Sequence, residues 1–279
     1  MGGYSESDLN QLHAELLTIL KEIVRICDIL DIRCFVTGGT AIGAHYFHGF
    51  VKWDDDIDLG MQRDDYERFR KEAPAIISEG YFIQCLRTDP DTPFYFIKVR
   101  KNGTLFVQEK YKDVKMHQGI FVDIFPFDNI PDNHFLARIH TRLVQYLHGS
   151  FMRRQLKQSI LEGQAFLPSA LSEILATVRF ALMKMVPKSY FLWRLRKVSS
   201  LFNHRRCRFV DVIVSSIDRM SYDSVKHLKP TCFEGVKLYE PGDIEGYLQN
   251  HYPDLKSPEM LESLWISHAP YEMAFSKKD

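Results

Sequence analysis

The chain has 279 residues, 45% of them hydrophobic, which is enough for one large domain or two small ones. Lys+Arg and Asp+Glu both number 36, so the net charge is zero and gives no global case for nucleic-acid binding. Cys27, Cys34, Cys85, Cys207 and Cys232 are scattered with no C-x-x-C pair, which argues against a zinc knuckle and against a disulfide framework.

No run of about 18 apolar residues occurs, so nothing is expected to span a membrane. The polar N-terminus MGGYSESDLN carries no secretory signal, and Glu6 spoils a myristoylation match. These features point to a cytoplasmic enzyme. The charge is unevenly spread. Arg138 to Arg208 holds 14 basic residues against Glu162 and Glu173, so a basic stretch sits within an acidic body.

Leu9, Leu12, Leu16, Ile19, Ile23, Ile26 and Leu30 recur at three- and four-residue steps, which predicts a helix from about Ser7 to Leu30 capped by Ser5 or Ser7. Cys34-Phe35-Val36 reads as a short strand broken by Gly38-Gly39, with a helix beginning at Thr40. Such a turn offers backbone N–H groups to a phosphate, although Gly-Gly alone more often marks only a turn.

Asp54, Asp55, Asp56 and Asp58 follow. In a strand, Asp56 and Asp58 share a face and suit a shared Mg²⁺ or Mn²⁺. A solvated acidic loop accounts for Asp54 and Asp55 but not for Asp58, which lies between Ile57 and Leu59. Trp53 reads as core. Gln62 to Gly80 reads as a helix capped by Asp64. Tyr81 to Leu86 and Phe94 to Arg100 read as strands. In the second, Lys98 and Arg100 are in phase, to meet an anionic substrate or solvent. Asn102-Gly103 predicts a hairpin returning through Thr104 to Gln108.

A further strand runs from Gln118. Asp123 stands in it among Ile120, Phe121, Val122, Ile124 and Phe125, where a carboxylate is expensive unless metal-bound or ion-paired. Asp123 is therefore the candidate third acid, and Asp128, past Pro126, reads as a turn residue. From about Asn133 to Asp218 the pattern is helical and basic, with apolar stripes through Leu171 to Met185 and Phe191 to Leu201. It reads either as an ordinary subdomain with a solvated basic face or as a surface for anionic lipid or polymer. Thr231 to Asp243 reads as a short hairpin or a strand, with Asp243 capping a helix. Ser257 opens another helix.

The stretch GGTAIGAHYFHGFVKWDDDIDLGMQRDDYERF resembles the LicD family of phosphotransferases, which includes phosphorylcholine transferases of bacterial glycopolymers and fukutin-type ribitol-phosphate transferases. FYFIKVRKNGTLFVQ, GIFVDIFPFDNIPD and FEGVKLYEPGDIEGYLQNHYPDL resemble its later blocks in order. The resemblance implies a nucleotidyltransferase-like core with phosphates near Gly38, Gly39 and Thr40, and metal on Asp56, Asp58 and Asp123. It also implies a CDP-choline or other CDP-alcohol donor and a glycan or lipid-linked glycan acceptor. One departure is Tyr46, where the family often carries Arg; His45, His48 or Lys52 would have to substitute.

The expected fold is α+β: a mixed sheet of about five strands with flanking helices in residues 1–132, a basic helical insert in 133–220, and a C-terminal segment, 221–279, returning to the core. The expected reaction is metal-dependent transfer of a phosphorylated alcohol, with Asp56 and Asp58 as ligands, Asp123 as ligand or general base, and Lys98 and Arg100 steadying phosphate. The expected location is cytoplasmic, with peripheral membrane contact through the basic helices. A true nucleotidyltransferase and a non-catalytic glycopolymer- or membrane-binding module are the alternatives.

Overall fold

A computed structural model describes residues 5–156, 177–216 except 179 and 183, 218–253 and 270–275. Helix α1, Glu6–Leu30, opens the chain. Ser5 accepts from the Asp8 N–H and caps it, and Leu12, Leu16, Ile19, Ile23 and Ile26 are buried, as the periodicity predicts. Strand β1, Phe35–Val36, leads into α2, Gly38–Ile42, which runs on as a π-helical turn through Gly43–Phe47.

Strand β2, Asp58–Gln62, feeds α3, Arg63–Glu72. The predicted helix through Gly80 ends early, at Glu72, because Pro74 has no N–H to donate to the carbonyl four residues back. Asp64 is not the cap; Gln62 holds that position, and Asp64 and Asp65 sit in the first turn, where they complement the helix dipole.

Strands β3, Tyr81–Gln84, β4, Ile97–Lys101, β5, Leu105–Val107, and β6, Phe121–Ile130, follow. The Asn102-Gly103 turn forms, with Gly103 at φ +73°, but no β4–β5 hairpin results. Both edges of β4 are occupied, by β3 and β6, so β5 pairs instead with β11, Glu272–Ala274.

Among the described residues the main sheet has seven strands, not five. Its path is β1-β2-β6-β4-β3, mixed because β2 and β6 run parallel while the other pairs are antiparallel. The length of β6 explains the extra strands. Its first part lies between β2 and β4, and its end pairs with β7, Phe209–Asp211, which carries β8, Met220–Ser221. The sheet therefore resumes inside the stretch read as helical.

Helices α4, His134–Gln155, and α5, Lys188–Ser199, pack on each other around a small separate core that includes Val144, Leu147 and Leu195. The stripe through Leu171, Ile174 and Leu175 lies outside the described residues, as does the helix start at Ser257. Val178, Leu182 and Met185 are exposed. After α6, Tyr222–Lys226, the predicted hairpin is present as β9, Lys229–Phe233, and β10, Val236–Glu240. Asp243 accepts from Gly246 N–H and caps α7, Ile244–His251. No helix among the described residues is long and apolar enough to cross a membrane.

Asp128 is not a turn residue. It lies in β6, 2% exposed, and takes a two-pronged ion pair from Arg63 of α3 at 2.8 and 2.5 Å. Asn203, beyond α5, donates to the same carboxylate at 2.7 Å, so this buried pair fastens helix, sheet and insert. Removing one member leaves the other charge buried without its partner. Arg63→Ala is expected to cost about 3–5 kcal/mol in urea unfolding. A loss under about 1 kcal/mol would show the pair to be dispensable.

Candidate active site

The β-sheet register builds a polar row across four strands. Asp58 on β2 is partnered with Asp123 on β6, Asp123 with Lys98 on β4, and Lys98 with Gln84 on β3. The Lys98 ammonium donates to both Asp123 oxygens at 2.7 Å and lies 3.4 Å from the centre of the Phe121 ring. Lys98 is 2% exposed and does not line the cavity, so it meets neither solvent nor a substrate there but Asp123 in the interior.

Burial pulls the Lys98 pKa down to about 8 against the pull of Asp123, and pushes the Asp123 carboxyl up against the pull of Lys98. Each partly offsets the effect of burial on the other. The ion-pair reading of Asp123 is thus realised. Arg100, one pleat along, donates to Gln84 Oε1 and to the Gly119 carbonyl, both at 2.5 Å, and is equally interior.

Asp58 is held by its own backbone. Its N–H donates to the Thr40 hydroxyl at 2.9 Å, and its carbonyl accepts from Thr37 N–H at 3.1 Å. Gly38 is required beside it for two reasons. Its φ is +55°, and a Cβ there would stand 3.2 Å from an Asp58 carboxylate oxygen. The Gly38 N–H donates to the Tyr247 hydroxyl at 2.8 Å, so this amide is already committed.

The strand begins at Asp58, so the same-face spacing argument does not carry Asp56, which lies in the preceding loop. Asp56 nevertheless reaches the same cavity as Asp58. Asp54 and Asp55 are 2% and 3% exposed, which overturns the solvated-loop reading. The loop folds inward: Asp54 N–H donates to the Val51 carbonyl, and His13, stacked on Phe50, donates to the Asp54 carbonyl at 2.6 Å. Carboxylate oxygens of Asp54, Asp55 and Asp56 lie within 4.8 Å of one another.

Burial and crowding raise the proton affinity of Asp54 and Asp58. Burial, then Asp56 and Asp123, lift the Asp58 carboxyl well above the ordinary range; burial, then Asp56 and Asp55, do the same for Asp54. An all-oxygen set suits a hard divalent cation, and Asp56 with Asp58, both open to the cavity, could hold one.

The cavity, about 270 Å³, has two walls. Thr37, Gly38, Gly39, Asp56 and Asp58 form one. Ser215, Asp218, His251 and Tyr252 form the other, with Phe125 also lining the space. Asp123, Lys98 and Arg100 stand behind Asp58 and do not line it. A larger cavity of about 810 Å³ between α3 and α5 holds none of the clustered acids of the 54–58 loop. Neither Tyr46 nor its named substitutes line the smaller cavity; His45 faces Glu240 at 3.3 Å, and His48 faces the Ala44 carbonyl.

The second wall has no counterpart among the residues singled out in the sequence. Tyr247 donates to Asp218 Oδ1 at 2.7 Å while accepting from Gly38, and His251 Nδ1 lies 3.2 Å from the same Asp218 oxygen. Tyr247, His251 and Tyr252 fall inside the C-terminal block quoted above, so a signal was present but no role could be read from it. Asp218 ends a basic stretch and carries no local pattern.

Two outcomes follow from this wall. Tyr247→Phe strips a buried partner from Gly38, and should lower stability by about 1–3 kcal/mol and speed exchange of the Gly38 amide; unchanged protection there would refute the link. Asp211, behind Asp218, has its carboxyl raised to about 7 by burial and then by Asp218. The folded chain binds that proton more tightly than the unfolded chain, so stability falls as pH rises from about 4 to about 7. Asp211→Asn should flatten that fall, with a ceiling of about 4 kcal/mol, in pH-dependent urea melts.

Residues 31–157 match the family described as LicD/FKTN/FKRP, nucleotidyltransferase domain. The chain is 47% identical over 118 residues to the lipopolysaccharide cholinephosphotransferase LicD of Haemophilus influenzae, covering 42% of this chain and 43% of that one. It is 26% identical over 118 residues to an uncharacterised protein of Rickettsia typhi, covering 42% and 36%, and 24% identical over 135 residues to one of Rickettsia prowazekii, covering 48% and 47%. The match thus spans less than half the length of each of these curated relatives. It contains Gly38, the whole acid loop, Lys98 and Asp123, on the α+β scaffold just described. Residues 31–157 are thus similar to the LicD-type nucleotidyltransferase domain.

Proposed function

We propose that the chain transfers phosphocholine, or a related phosphorylated alcohol, from a CDP-linked donor to a sugar hydroxyl of a lipopolysaccharide-type or other lipid-linked glycan. The observation carrying this reading is the convergence of Asp56 and Asp58 with the Gly38-Gly39 turn on one small cavity. The name of the Haemophilus relative supports the choice of group and acceptor.

Mg²⁺ or Mn²⁺ on Asp56 and Asp58 would supply positive charge to the donor phosphates and to the departing nucleotide. The residues of the chain do the rest. Gly38, by lacking a side chain, lets a phosphate approach the Asp58 edge of the turn. Lys98 pairs with Asp123 and holds it in the row behind Asp58. The acceptor oxygen attacks the phosphorus bearing choline, a P–O bond forms, and the anhydride bond breaks with its electrons leaving on CMP.

The acceptor proton needs a base. Asp123 is one candidate, but Lys98 engages both of its oxygens. Asp218 faces the cavity from the opposite wall and is the better placed group. Lys98 and Arg100 act on the donor through the field of the row, not by contact with phosphate.

The test is turnover of CDP-choline with a glycan acceptor, read by product mass. Asp58→Asn should abolish it with the fold intact, and Asp218→Asn should lower it by about 10²–10⁴-fold. In melting experiments with Mg²⁺, CDP-choline at about 100 times its dissociation constant should stabilise the wild type by about 2.7 kcal/mol, and not Asp58→Asn. Full turnover in Asp58→Asn would sink the assignment. A product carrying the nucleotide would make the chain a nucleotidyltransferase.

A further inference from the structure

Helix α4 is apolar on two faces. Ala137, His140, Val144, Leu147 and Phe151 face inward and are buried. On the other side Phe135, Ile139, Leu143 and Tyr146 lie within an arc of about 80°, and they are 74, 47, 44 and 66% exposed. Arg138 and Arg142 border that arc along one edge, both exposed. Large side chains gathered in this way on a surface mark a contact site.

Charge identifies the partner. Helix α4 has four arginines and no acid in 22 residues, with Arg138 and Arg142 beside the outward arc and Arg154 held by the Val186 carbonyl, and α5, packed against it, has four basic residues and no acid in 12, of which Arg196 is taken by Glu67. A protein surface of mixed charge gains little from such a face. An anionic bilayer matches it in both respects: headgroup phosphates for the guanidinium groups, and the acyl boundary for Phe135, Ile139, Leu143 and Tyr146. Arginine stems also lie along apolar surface while their heads stay in water, as the edge position of Arg138 and Arg142 requires.

We infer that the outward face of α4 lies on the surface of a membrane rich in anionic lipid, with Phe135 and Tyr146 entering the headgroup layer and Arg138 and Arg142 held at the phosphates. The inference is independent of the chemistry assigned to the acidic cavity.

Co-sedimentation of the full chain with vesicles tests it. The chain should bind vesicles of phosphatidylcholine with phosphatidylglycerol and not phosphatidylcholine alone. Binding should weaken as salt shortens the Debye length from about 10 Å at 0.1 M to about 3 Å at 1 M. Arg138→Glu with Arg142→Glu should reduce binding at least about tenfold, as should Phe135→Ser with Tyr146→Ser. Because all four side chains are exposed, the variants should melt as the wild type does; if the serine pair fails to fold, the charge-reversed pair decides alone. Asp58→Asn should bind vesicles fully, which separates this result from the proposed chemistry. Equal binding to both vesicles, or wild-type binding by the variants, would overturn the inference. So would vesicle indifference together with a dimer that Phe135→Ser abolishes, since the face would then belong to a second copy.

Discussion

The contact between Lys98 and Asp123 in the middle of the sheet governs the site. Neighbouring strands lie about 4.8 Å apart, and two carboxylates at that separation repel by roughly 3 kcal/mol at an effective dielectric of about 20. Asp58 and Asp123 face each other in that way, and neither can leave, because register fixes both. The Lys98 ammonium neutralises one, from a cage of Phe94, Phe96 and Phe121 that excludes water. Asp58, with Asp56 from the loop before it, lies on the side that opens to the cavity. The row is therefore asymmetric, closed on the Lys98 side and open to the cavity on the Asp58 side.

The sequence disclosed this arrangement unevenly. Asp58 and Asp123 were visible because each is a charge inside an apolar run, and such a residue needs a partner somewhere. The partner of Asp123 was visible as a residue but not as a relation: Lys98 shows alternation within β4, yet pairing across strands is set by register, which one strand does not contain. The same limit hid Asp128. After Pro126 an acid looks like a turn, and only the opposing Arg63, 65 positions away, makes its burial tolerable. Asp54 and Asp55 misled in the opposite direction, since acids before a strand resemble a solvated loop until His13 and Phe50 are seen closing over them.

The hairpin at Asn102-Gly103 shows a second kind of limit. The turn is local and forms as its residues dictate, but strand pairing is competitive. β4 already has β3 and β6 as neighbours, so β5 finds its partner at Glu272–Ala274. Global occupancy of edges, not turn chemistry, decided that ladder. The basic insert was legible as composition alone, and the division of α4 into an inward and an outward apolar face emerges only once α5 is packed against it.

The hydrogen bond from Gly38 to Tyr247 spans 209 positions in sequence. Gly38 is made well before Tyr247, so a nascent chain can complete much of its central sheet while the cavity still lacks a wall. The acid loop thus matures late in synthesis, after the elements that would align a substrate against it have emerged. Contacts of such high separation also slow folding, since their loop must close before they reward it. Enclosure of the acid loop thus depends on residues made long after it, and a chain interrupted before Asp218 would retain the acids without the second wall of the cavity.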